Sequence, residues 1–345
     1  MNQPKTKPAI EMITMKKLRQ IFAVSCVLLL LQGCGNEQTA GTDSTTGQQR
    51  LHLAFVANSP GEYWAVVNLG CDIAAQQLGN VDLDFRYPAA DTVEAQNAIM
   101  NNLLGSGVDG IAISPIDADK QADLLNNIAA KTFLICADSD AGNSKRAGYV
   151  GTDNAAAGRQ AADLIKAALP GGGKIALFVG YGKAQNTKDR IRGIQDGLKG
   201  SNIQIVDTLE DGQNSAGTGK NVADALAKHP DLSGMVGISG YHGPAILNGL
   251  KQANTAGKVK IICFDDNSDT LAGIAAGSIY GTIAQNPFQI GKQAIVSMEK
   301  YLRGQEKPFA STNIYTTSRP LTKDNVASYI AEQKSISFYL KDQGN

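Results

Sequence analysis

The stretch KVKIICFDDNSDT, residues 258–270, runs almost wholly apolar from Val259 to Phe264 and then stops on two adjacent carboxylates, Asp265 and Asp266. An apolar run without alternation suits a strand buried on both faces of a sheet. Outward from it the pattern recurs: LHLAFVA (51–57), VDLDFRY (81–87), GIAIS (110–114), FLICA (133–137), KIALFVG (174–180), IQIVDT (203–208), GMVGIS (234–239), KIICFD (260–265) and IYGTIAQ (279–285). Helical patterns separate them, each roughly 12–18 residues long. One opens on the cap GTDN (151–154), runs through Leu164 and Ala168, and stops at Leu169-Pro170-Gly171. Strand followed by helix, repeated, predicts an α/β fold with parallel sheets covered by helices on both faces. Nine such strands with a restart near residue 153 predict two doubly wound sheets of similar size.

In open α/β sheets ligands bind beyond the carboxyl ends of the strands. Those ends read ANSPGEYW (57–64), SPID (114–117), ADSD (137–140), GTDN (151–154), GYGKAQNTKDR (180–190), SGYHGP (239–244), FDDNSD (264–269) and AQNP (284–287). They are rich in Asp, Asn, Ser, Gln and Tyr, the side chains that bind hydroxyl groups. Catalytic constellations are absent from the same ends. None of the three His (His52, His229, His242) forms a metal pair at helical spacing. GISGY (237–241) lacks the second Gly of a nucleophile elbow, and GTGKN (217–221) and GYGKAQ (180–185) fail the phosphate-loop and dinucleotide patterns. No cofactor, metal or activated nucleophile is expected, and an enzyme is disfavoured.

The chain has 345 residues, 43% hydrophobic with 37 Gly, enough for a large buried core. Formal net charge is zero, but the first 33 residues hold five of the 32 Lys/Arg and one of the 32 Asp/Glu. The remainder therefore carries 27 basic and 31 acidic residues, a net charge of −4, which offers no footprint for nucleic acid.

MKKLRQIFAVSCVLLLLQGCGN (15–36) has a basic start and an apolar run from Ile21 to Leu31, the length of a signal-peptide core. Met1 and Met15 are both candidate starts. Leu31-Gln32-Gly33-Cys34 resembles the bacterial lipobox, which implies Cys34 as the lipidated first residue of the mature protein, although Gln32 is not the usual small residue there. The polar stretch after it reads as a flexible tether. Of the remaining thiols, Cys71, Cys136 and Cys263 sit in apolar patterns and are expected to be core residues.

From Leu51 to about residue 320 the chain resembles the ribose-binding-protein-like sugar receptors of bacterial ABC importers. GVDGIAISPIDAD (107–119), YVGTDNAAAGRQAA (149–162), DRIRGIQDGL (189–198), AKHPDLSGMVGIS (227–239) and above all FDDNSDTLAGIAAGSIYGTIAQNPFQIG (264–291) carry the resemblance. It implies two α/β lobes joined by three crossings: residues 50–152 plus 286–313, and 153–285 plus 314–340, with 1–33 as signal peptide and 34–50 as tether. It also implies ligand-binding roles. Asp138 and Asp265 would accept from sugar hydroxyls, Arg190 would donate, and Gln285, Ser239, Ser114, Asn186 and Thr152 would complete the hydrogen bonding. Tyr63 and Trp64 would pack on a sugar face. Against these stand plainer readings: Trp64 as core packing, Asp153-Asn154 as helix cap and hinge, and Asp266 as the cap of a helix near Ser268.

The sequence departs from the family at Ser139, where ribose-binding members place an Arg, and at Gly61-Glu62 before the aromatic pair. Tyr181 and Tyr241 are candidates for a second ring-packing aromatic. The smaller Ser139 and Gly61 suggest room for a ligand larger than ribose. The function implied is a monomeric, lipid-anchored receptor outside the cytoplasm that closes on a monosaccharide or polyol and delivers it to an ABC permease. A receptor serving chemotaxis or signalling without transport is the alternative. A sugar-sensing transcriptional regulator would need a DNA-binding segment where residues 1–50 read as signal and tether.

Overall fold

The computed structural model describes residues 49–305 and 313–343. The expected signal peptide, Cys34 and the tether up to residue 48 lie outside the described residues. In chain order the first elements are β1 (Leu51–Val56), α1 (Glu62–Leu78), β2 (Val81–Arg86), α2 (Val93–Gly105), β3 (Gly110–Ile113), α3 (Ala118–Ala129), β4 (Phe133–Ala137) and β5 (Gly148–Thr152). Then come α4 (Asn154–Ala168), β6 (Gly173–Val179), α5 (Gln185–Leu198), β7 (Ile203–Glu210), α6 (Ser215–Lys228), β8 (Leu232–Gly237), α7 (His242–Gln252), β9 (Lys260–Phe264), α8 (Ser268–Ala275) and β10 (Gly281–Ala284). The chain closes with α9 (Pro287–Leu302), β11 (Asn313–Thr316), β12 (Arg319–Thr322) and α10 (Val326–Gln343).

The strands form two six-stranded sheets, ordered β11-β5-β4-β3-β1-β2 and β12-β10-β9-β8-β6-β7. All pairs are parallel except β10 with β12. The doubly wound, two-lobed α/β architecture expected from the alternating pattern is the one that forms. Each sheet is buried on both faces. In the first lobe Leu53, Phe55 and Ile135 pack under α1 and α9, while Ala54, Val56 and Ile111 pack under α2 and α3. In the second, Ile175 and Leu177 face α4 and α5, and Ala176 and Phe178 face α6 and α7. Cys71, Cys136 and Cys263 are free and buried, as core thiols. Among the described residues no helix is long and apolar enough to cross a membrane.

Three strands were not legible in the sequence. β5 contains two glycines and runs straight into a helix cap, and β11 and β12 are short, half-exposed edge strands, one of them holding Pro320. β11 also moves an expected boundary: it pairs with β5, so the third crossing between the sheets falls at residues 317–318, not at 313–314. Gln49 and Arg50, assigned to the tether, are tied to the first lobe through Arg303 and Asp82. The caps follow sequence with one correction. Asp153 caps α4 by accepting from the Ala156 N–H at 2.9 Å. Asn267, not Asp266, caps α8, because Asp266 accepts instead from the Tyr329 hydroxyl of α10.

Two helix pairs approach unusually closely, one per lobe, and each uses glycine on both sides. A Cβ on Gly70 would lie 2.1 Å from the Phe288 carbonyl and one on Gly291 2.0 Å from that of Val67. Likewise a Cβ on Gly158 would lie 2.3 Å from the Arg190 carbonyl, and one on Gly193 2.2 Å from that of Ala155. The overlaps are with backbone, so α4 and α5 would have to part. Gly193→Ala should therefore destabilise the protein by about 1–3 kcal/mol, despite a gain of ~1 kcal/mol in helix propensity. Urea unfolding measures this; an unchanged midpoint would show that the close approach does not set the helix spacing.

Candidate ligand-binding cleft

The two sheets present their carboxyl ends to a common cleft of about 640 Å³. Its two central acids arise by the same device in each lobe. Asp138 follows β4 and Asp265 follows β9, and their N–H groups extend the ladder to Val150 and Ile283 at 3.0 and 2.9 Å. Both then adopt left-handed backbone, φ 63° and 68°. Asp is one of the few non-glycine residues that tolerates this region, which is otherwise strained. The turn ends the strand and leaves each carboxylate on the cleft wall.

Each acid is held from behind. Asp138 accepts from the Tyr63 hydroxyl on Oδ1 at 2.7 Å and from Ser114 Oγ on Oδ2 at 3.0 Å. Asp265 Oδ1 accepts from Gln285 Nε2 at 2.6 Å, and Gln285 Oε1 accepts from Thr152 Oγ1 at 2.7 Å. That chain joins the end of β5 to the ends of β10 and β9, across the lobes. Arg190 completes the site from α5. Its Nε donates to Asn154 Oδ1 at 2.9 Å, its Nη1 to the Ile238 carbonyl at 2.8 Å, and its guanidinium lies 4.5 Å from the Phe264 ring centroid.

Burial raises the pKa of both acids; for Asp138 the Tyr63 and Ser114 hydroxyls and the Arg190 charge oppose it, and for Asp265 chiefly Arg190 and Gln285. Burial, reinforced by Asp138, also pushes the Tyr63 phenol up, so it stays a donor. The site thus combines hydrogen-bond acceptors and a fixed planar donor on buried side chains.

Asp138, Arg190, Asp265, Gln285, Tyr63, Trp64, Asn186 and Ser239 all line the cleft. Ser114 and Thr152 do not: they are buried, and each spends its hydroxyl on an acid or its partner. In place of the expected direct contact with the cleft, each bonds a cleft-lining side chain from behind. Trp64 is only 4% exposed and packs against Phe55 in the core, so it shows little more than an edge. Ser139 is also buried away from the cleft, and its Oγ has no hydrogen-bond partner among the described residues.

Tyr181 and Tyr241, the candidates for a second ring-packing aromatic, both line the cleft, but their partners Asp91 and Asp211 were not foreseen. Tyr241 lines the cleft but gives its hydroxyl to Asp211, which also lies 3.1 Å from His242 Nε2. The His242 ring in turn accepts from the Ser239 N–H on Nδ1 at 2.9 Å, fixing that wall from below. Tyr181 donates to the Asp91 carbonyl at 2.6 Å, from the second lobe to the first. No local pattern marks such contacts. Among the described residues no group of three His, Cys, Asp or Glu is placed to hold a metal ion.

Comparison with known proteins agrees with this fold. Residues 53–306 match the periplasmic binding protein domain family. A solute-binding protein of an ABC transporter from Burkholderia graminis, solved with D-arabinose, is 31% identical with a TM-score of 0.77, over 81% of this chain and 98% of that one. A glucose-galactose binding protein from Geobacillus stearothermophilus is 26% identical, with a TM-score of 0.77, over 81% and 99%. The ribose import binding protein of Bacillus subtilis is 28% identical over 61% of this chain and 68% of its own. The chain belongs to the periplasmic binding protein family, as a ribose-binding-like member of its type I fold.

Proposed function

We propose that the protein captures a monosaccharide or related polyol in the cleft and delivers it to an ABC permease, without turnover. One observation carries this reading: Asp138, Asp265 and Gln285, from three strand ends in two sheets, and Arg190, from helix α5, converge on one cleft. A neutral polyol asks for this mixture of planar acceptors and donors around its rim, each charge-assisted bond contributing roughly 1.5–3 kcal/mol. Closure of the lobes excludes water and strengthens the same bonds. The arabinose complex of the Burkholderia relative and the xylitol-binding protein of Mycolicibacterium smegmatis, 25% identical over 90% of this chain and 86% of its own, support the ligand class. The lobes in this reading are residues 50–152 with 286–316 and 153–285 with 317–340. A lipid on Cys34 would hold a monomeric receptor at the outer face of the membrane on its tether.

Thermal unfolding against pentoses, hexoses, polyols, nucleosides and amino acids tests the proposal. At a ligand concentration of a hundred times Kd the expected stabilisation is about 2.7 kcal/mol, a rise of several degrees. Stabilisation by a nucleoside or amino acid with none by any sugar or polyol would overturn the ligand class and keep the fold.

A further inference from the structure

The cleft has four sides, of which two are joined by hydrogen bonds and a third by an exposed ion pair. At the hinge edge Thr152 and Gln285 are hydrogen-bonded across the lobes. At the opposite edge, past β2 and β6, the Tyr181 hydroxyl reaches the Asp91 carbonyl at 2.6 Å. On the face of α3 and α5, Lys188 Nζ lies 3.6 Å from Asp119 Oδ2. The fourth side, toward α1, α8, α9 and α10, has no such tie among the described residues. There the cavity wall includes Glu62, Val66, Phe288, Asp266, Glu332 and Gln333. Glu62, Glu332 and Gln333 are exposed, so this end opens to solvent. Gly61, on the same rim, has open space where a Cβ would point.

The volume therefore does not come from lobes that gape on every side. At about 640 Å³ it falls within the range of pockets that bury drug-sized ligands, ~300–1,000 Å³. A single pyranose bonded to Asp138, Asp265, Arg190 and Gln285 fills a minor part of it. The remainder is lined by the carboxylate residues Glu62, Asp266 and Glu332 together with the apolar Phe288 and Val66. Acceptors for hydroxyls beside apolar surface for C–H faces are what the inner site also offers, and they suit a second sugar ring better than a purely apolar group.

We infer that the cleft takes its sugar as a glycoside: one ring in the inner site, and a second, glycosidically linked ring in the open channel between α1 and α10. This rests on the proposed sugar reading and specifies its ligand as a disaccharide or the end of a short oligosaccharide.

The test is isothermal titration of the mature chain with the monosaccharide that stabilises it most and with disaccharides containing that unit, in each linkage. At least one disaccharide should bind about tenfold or more tighter than the monosaccharide. Val66→Trp, on an exposed helix face at the channel, should change the affinity for that disaccharide by about tenfold, by filling the channel or stacking on the second ring, and that for the monosaccharide by less than about twofold. Tight monosaccharide binding with every disaccharide equal or weaker overturns the inference and leaves the sugar reading standing. Failure of all sugars, single and linked, removes both.

Discussion

Asp265→Asn is expected to abolish sugar binding while leaving the unliganded protein at least as stable as its parent. The carboxylate stands on the cleft wall, and losing its charge removes up to two charge-assisted bonds at about 1.5–3 kcal/mol each. That corresponds to a loss of about a hundredfold or more in affinity. The fold does not depend on the charge. Asn tolerates the left-handed backbone, φ 68° in the parent, at least as well as Asp, and its Oδ1 can still accept from Gln285 Nε2.

The sign of the stability effect follows from the pKa. Burial raises the Asp265 pKa above the ordinary carboxylate value, so the native state binds its proton more tightly than the unfolded chain. Its contribution to stability is fully present below the unfolded pKa and is lost as pH rises through the folded one. At neutral pH the ionised side chain opposes folding, and Asn relieves it. The melting temperature of the variant relative to the parent should be highest near neutrality and should decline as pH falls into the ordinary carboxylate range. Calorimetric titration with scans at both pH values checks this. Binding within a few-fold of the parent would remove Asp265 from the site, and a large loss of stability at pH 7 would make it a structural residue.

Arg190→Ala should cost both binding and stability. The side chain is 4% exposed, and its removal strips partners from the Ile238 carbonyl and Asn154 Oδ1, two buried acceptors. It also removes the cation stacked on Phe264 and the positive charge that restrains the pKa of Asp138 and Asp265. Leaving buried groups unpaired in this way costs about 3–5 kcal/mol. Arg190→Lys should recover little, because an ammonium cannot reproduce the fork that reaches both acceptors. Urea unfolding of the two variants decides the point: a loss under about 1 kcal/mol would mean that the guanidinium is solvated in practice and not part of a fixed wall.

The two variants differ because the groups are built differently. Asp265 is strained and desolvated in the free protein, and a ligand's donors relieve both burdens, so function and stability pull apart. Arg190 is satisfied on two sides by the protein itself, so its loss is felt with or without ligand. In each lobe a glycine-mediated helix crossing sets the frame, and for Arg190 the frame is direct: the carbonyl that excludes a Cβ at Gly158 is its own.

Much of this was present in the sequence. The apolar runs, the helical spacing between them and the restart near residue 153 determined two doubly wound sheets, because burial on both faces imposes a local pattern that a single chain must show. The acids after FLICA and KIIC-F, the Arg opening RIRG and the Gln of IAQNP likewise marked the strand and helix ends where a ligand would sit. What only the tertiary structure decided is where the side chains point and whom they meet. Thr152 and Gln285 are 133 residues apart, and Tyr181 and Asp91 are 90 apart. Their contacts come from lobes brought together by three crossings, one of which depends on an edge strand too short and exposed to leave a periodic signal. Ser114 and Thr152 have the composition of ligand groups but turn behind the wall, because a buried carboxylate and its Gln need partners more than the cleft does. Residue types are legible locally through burial and turn chemistry; their directions are set by neighbours distant in the chain, and so is the line between a residue that touches a ligand and one that holds it in place.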